Sequence, residues 1–99
     1  MRYTRSDNAD ETTFTIDGTL DAVTAPELRG VVDELVSARR KLVILDLSSL
    51  RLIDSSGVGV IVSLFKRMRA DGGDVKIVGL RDQPRAIFRL LRLDRIFPV

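Results

Sequence analysis

The 99-residue chain contains no cysteine and no histidine. The first absence excludes disulfides and thiolate chemistry. The second removes the commonest general base and the commonest metal ligand together. Long hydrophobic runs are also missing: none approaches the ~20 residues that a bilayer-spanning helix needs. The segment Met1-Arg2-Tyr3-Thr4-Arg5 lacks the apolar stretch of a secretory signal, so the expectation is a cytoplasmic protein without membrane insertion. Nor is there an excess of one charge. Sixteen Lys+Arg against fourteen Asp+Glu leave +2, too little to indicate direct nucleic-acid binding. What remains is the composition of a soluble globular protein, long enough for one core and therefore one domain over residues 1–99.

Hydrophobic periodicity divides the chain into alternating strands and helices. Met1 to Arg5 and Thr13 to Asp17 alternate apolar and polar residues around the turn-rich Ser6-Asp7-Asn8-Ala9-Asp10, which predicts a hairpin with Phe14 and Ile16 inward. Gly18 marks the end of the second strand. Thr24-Ala25-Pro26-Glu27 fits a capping box, with Thr24 as N-cap and Glu27 reaching back. Leu28, Val31, Val32 and Leu35 then form one apolar stripe, and Arg39-Arg40-Lys41 places positive charge at the helix C-terminus. Leu42-Val43-Ile44-Leu45 reads as a strand covered on both faces. Val58, Ile61, Val62, Phe65 and Met68 follow at helical spacing until Gly72-Gly73 turns the chain. Val75 to Val78 is a further strand, and Asp82 and Pro84 open a last helix with Ile87, Phe88 and Leu91 inside. Ile96-Phe97-Pro98-Val99 predicts a short terminal strand, confined to an edge by Pro98. The order β-β-α-β-α-β-α-β is that of an α/β domain, a central mixed sheet with packed helices.

The chemistry concentrates at Asp54-Ser55-Ser56-Gly57-Val58-Gly59, where a buried strand passes through a short loop into a helix. A helix start carries unpaired N–H groups and partial positive charge, so a serine held there is well placed to carry a phosphate. The same residue types are also ordinary N-cap residues. Against capping alone stand Gly57 and Gly59, each costing about 0.5–1 kcal/mol relative to alanine inside a helix. Ser55 has no histidine, cysteine or nearby lysine to activate it, so it reads as a substrate for another protein's kinase rather than as a nucleophile, and the chain is not expected to be an enzyme. Gly57-Val58-Gly59 is a lone G-x-G without a third glycine or a P-loop lysine, a weak signal for nucleotide binding.

Asp54-Ser55-Ser56-Gly57-Val58-Gly59 and Gly18-Thr19-Leu20-Asp21 resemble the signature segments of the STAS domain, in particular of bacterial anti-sigma-factor antagonists. The element order matches that family over nearly the whole chain, although family members often continue into another C-terminal helix. The resemblance implies that Ser55 is the phosphate acceptor. It implies a partner surface that includes Asp21, Asp54, Ser56, Gly57, Val58 and Gly59, although Asp21 reads equally as a turn residue that caps the following segment, and Ser56 as a cap or first-turn residue rather than a second acceptor. It also implies two partners: an anti-sigma factor that is a serine kinase, and a metal-dependent serine/threonine phosphatase. No cofactor and no metal is implied. The alternative within the same fold is a STAS scaffold or accessory subunit of a larger signalling or lipid-transport assembly.

The last third of the chain is rich in arginine, with Arg81, Arg85 and Arg89 spaced by four and Arg92 and Arg95 following. That spacing puts the first three on one helical face. Opposite a core face of Ile87, Leu90 and Leu91, they read as a solvated surface or as a docking surface for an acidic partner.

Overall fold

The computed structural model describes residues 1–97. Two strands, β1 (Arg2–Asn8) and β2 (Glu11–Leu20), form the expected antiparallel hairpin. Helix α1 (Ala25–Ser37) crosses to β3 (Leu42–Ile53), which lies parallel to β2. Helix α2 (Ser55–Ala70) crosses to β4 (Asp74–Val78), parallel to β3, and the sheet order is β1-β2-β3-β4. Helix α3 (Asp82–Leu90) and a short 3-10 turn at Leu93–Arg95 complete the chain.

One sheet face is buried. Phe14 and Ile16 of β2, Val43, Leu45 and Leu47 of β3, and Val75 and Ile77 of β4 join the helices' inward residues in one cluster. The α1 stripe of Leu28, Val31, Val32 and Leu35 belongs to it as expected. On the opposite sheet face Thr13, Thr15, Ile44 and Asp46 stay half-buried. The sheet is thus buried on one side, which corrects the reading of 42–45 as a strand covered on both.

Five further expectations are corrected. Gly18 does not end β2; the strand accommodates it by register shifts and runs on to Leu20. Likewise β3 continues past Leu45 to Ile53, so that Asp54 alone separates it from α2. Thr24 precedes α1 but makes no side-chain cap, because its hydroxyl donates to the Thr19 carbonyl (3.0 Å) instead. No basic residue lies in the last turn of α1; Arg40 Nη2 donates to the Glu11 carbonyl (2.6 Å), clasping the hairpin end. In α3 Phe88 is buried and Ile87 half-buried against the core as expected, but Leu90 and Leu91 are 76% and 50% exposed, and Pro84 is buried in their stead.

The terminal strand is not formed at Ile96 or Phe97; Pro98 and Val99 lie outside the described residues. Phe97 is instead fully buried, with its ring edge-on to Phe65 of α2 and near Phe88 of α3. This aromatic contact ties α3 and the 3-10 turn to α2.

Between β4 and α3 the chain passes close over β3. Gly79 has φ +75°, and a Cβ there would meet Ser48 at 2.7 Å, so only glycine fits without a shift. This approach brings Arg81 Nε to the Ser48 carbonyl (3.0 Å) and Gln83 to Ile53.

Candidate functional site

The carboxyl ends of β2 and β3 lie side by side, with Leu20 paired to Ile53. The loop after each strand therefore opens on the same edge of the domain. Asp54 caps α2 with an extended backbone, and its Oδ1 accepts from the Ser56 amide (2.8 Å) and the Gly57 amide (3.1 Å). Its Oδ2 accepts from the Ala22 amide (3.3 Å), and the Asp54 amide donates to the Leu20 carbonyl (3.2 Å). One carboxylate thus caps the helix and fastens the 21–24 loop to it.

Asp21 organises that loop. Its Oδ1 accepts from the Val23 amide (2.9 Å) and the Thr24 amide (3.1 Å), and the Thr24 hydroxyl lies 3.2 Å away. The Thr24 amide, together with the Val23 amide and the Thr24 hydroxyl, holds the Asp21 carboxyl below its ordinary value against a partial opposing effect of burial. Asp21 and Asp54 are both engaged with backbone amides.

Ser55, the first residue of α2, is exposed, and its side chain makes no hydrogen bond among the described residues. The capping alternative for Ser55 therefore does not apply, since Asp54 occupies that role. Ser56 is half-buried. The two glycines differ completely. Gly57 is buried, and a Cβ there would lie 2.6 Å from the Leu20 carbonyl oxygen and 2.8 Å from Ile53 Cγ1. Gly59 is exposed, with nothing within 4 Å of a Cβ. Val58 packs inward at 8% exposure. Of the six residues expected to meet a partner, Gly57 and Val58 thus face the core; Asp54 and Gly59 are exposed, and Asp21 and Ser56 half-buried.

The STAS domain sequence pattern matches residues 2–99. The chain belongs to the STAS domain family. An anti-sigma-B factor antagonist of Listeria monocytogenes is 30% identical over 83 residues, which are 83% of this STAS domain and 72% of that protein. The crystal structure of an anti-sigma factor antagonist from Mycobacterium paratuberculosis superposes with a TM-score of 0.87 at 23% identity, covering 98% of this chain and 82% of that one. The Bacillus cell fate determinant SpoIIAA in its phosphorylated form gives a TM-score of 0.77 at 18% identity, covering 95% of this chain and 86% of that one.

Two residues of this STAS domain's site escape a reading of the sequence. Val23 stands 86% exposed in the loop beside Asp21, an apolar side chain next to the mouth of α2. Its amide hydrogen bond to Asp21 holds it there, but a lone valine in a turn carries no sequence signal. Gln83 of α3 places its amide against the end of β3: Oε1 accepts from the Ile53 amide (2.9 Å) and Nε2 donates to the Ile53 carbonyl (2.9 Å). The described pairing of β4 reaches only Asp46, so Gln83 completes the ladder at the residue preceding the cap. Gln83→Ala would leave both Ile53 groups unpaired and is expected to cost about 1–3 kcal/mol, read from the urea midpoint. An unchanged midpoint would mean that water satisfies them equally well.

Among the described residues no group of three or more potential ligands is placed to hold a metal ion. No helix among them is long and apolar enough to cross a membrane.

Proposed function

We propose that this STAS domain is an anti-sigma-factor antagonist switched by phosphorylation of Ser55. The unmodified domain binds an anti-sigma factor that is a serine kinase, which releases the sigma factor. Phosphorylation of Ser55 ends the binding, and a metal-dependent serine/threonine phosphatase restores it. The names of the relatives support the antagonist role. The observation that carries the switch is the division of labour at the helix mouth, where Asp54 takes the cap and leaves the Ser55 hydroxyl exposed and uncommitted.

That division also sets where a phosphate acts. It would add about −1.5 to −2 charge. The Ser56 and Gly57 amides, which would otherwise receive an anion at this helix start, already bond to Asp54. The phosphate therefore projects to solvent beside a carboxylate, and the domain is not expected to unfold. A partner docking there must desolvate a dianion, at a cost of several kcal/mol unless it offers a countercharge. Asp21, Val23, Asp54, Ser55, Ser56 and Gly59 form this surface; buried Gly57 and Val58 shape it from beneath. With no base beside Ser55 and both carboxylates engaged, the domain acts by binding, not by catalysis.

Peptide mass spectrometry of the protein from its own cells tests the proposal. The expected result is phosphate on Ser55, in a fraction that changes with growth conditions. Unphosphorylated Ser55 under every condition, in a folded domain, would favour the scaffold or accessory-subunit role instead.

A further inference from the structure

We infer that the outer face of α3 is a second docking surface, separate from the Ser55 edge, and that it fits an acidic amphipathic helix of a partner protein. Residues 81–97 contain five arginines and two aspartates, a net +3, although the whole chain carries only +2. The remaining residues together sum to a slight negative charge. Arg85, Arg89, Arg92 and Arg95, like most of the chain's basic residues, make no ion pair among the described residues and are open to a partner's carboxylates.

Apolar groups accompany the charge. Ala86 and Leu90 sit one turn apart on the exposed side of α3, Leu90 at 76% exposure, directly beside the Arg85–Arg89 pair. Between Leu80, Arg85, Phe88, Arg89 and Asp94 lies a hollow of about 170 Å³. Arg85, Arg89 and Asp94 make its lining mainly polar, with half-buried Leu80 contributing an apolar edge. An apolar side chain of a partner helix packs on Leu90 while carboxylates one turn apart on the same helix meet Arg85 and Arg89. The nine-residue helix offers too little apolar area for stable insertion into a bilayer surface, which favours a protein segment over a lipid surface.

The test uses isotope-labelled full chain and a synthetic peptide of about 16 residues, long enough to hold a helix, with leucines and flanking glutamates at i, i+4 spacing. Saturable amide shifts confined to residues 82–96 are expected. They should weaken at least about tenfold in Leu90→Ser and in the double variant Arg85→Glu/Arg89→Glu. All three positions are exposed, so both variants should stay folded, which circular dichroism checks. Ser55→Asp should leave this binding unchanged, which separates the surface from the phosphorylation switch. Failure to bind, shifts centred elsewhere, or equal binding to a peptide with lysine in place of glutamate would overturn the inference. So would Leu90-dependent binding to phosphatidylserine vesicles in preference to the peptide, or Leu90-dependent self-association, since either assigns the face another occupant.

Discussion

Ser55→Asp is expected to weaken binding to the kinase partner at least about tenfold, or ~1.4 kcal/mol. Its melting temperature should stay within about 2 °C of the unsubstituted domain, since surface changes away from special features are small. The new carboxylate would stand beside Asp54 at a helix start whose first amides are already taken, so its charge is left for the partner to desolvate. Ser55→Ala should fold, bind and resist inactivation. Isothermal titration against the purified kinase measures both. Unchanged affinity of the aspartate variant would place the interface elsewhere on the domain. Loss of binding by a folded alanine variant would make the hydroxyl itself a contact.

The two glycines of the signature should respond in opposite directions. Gly57→Ala puts a methyl group 2.6 Å from the Leu20 carbonyl oxygen and 2.7 Å from Leu20 Cγ. Overpacking of this kind costs about 1–3 kcal/mol, and here backbone must move to relieve it. The displaced carbonyl is the one that accepts from the Asp54 amide, so the damage reaches the junction between the two site loops. Gly59→Ala meets nothing within 4 Å and removes a flexible residue from a helix, so it should stabilise by about 0.5–1 kcal/mol. Urea unfolding of the two variants reads both changes. Equal effects would show that Gly57 is not held by close packing.

The repeating patterns of the chain were legible because periodicity reports burial directly. The α1 stripe, the α2 run from Val58 to Met68 and the alternation at Phe14 and Ile16 all face the core as their spacing implies. The Asp54-Ser55 junction was legible because a cap and a glycine-bearing first turn are local features. What depends on tertiary geometry was not. Thr24 has the sequence of a cap, but Asp21 takes the loop amides and Thr19 takes the hydroxyl. Leu90 and Leu91 look like core at helical spacing, yet α3 turns Pro84 and Phe88 inward, with Ile87 half-buried beside them, and leaves both leucines exposed. Gln83 completes a strand thirty residues away, a role no local pattern encodes.

The most direct test of the switch compares the affinity of the unmodified domain and the domain stoichiometrically phosphorylated on Ser55 for the same purified kinase, with thermal melts of both. The account predicts at least about tenfold weaker binding after phosphorylation and nearly superimposable melts. Equal affinities would contradict it. A phosphorylated domain that lost binding only because it had unfolded would contradict it as well, since Asp54 holds the cap and the phosphate would then be acting on the fold and not on the interface.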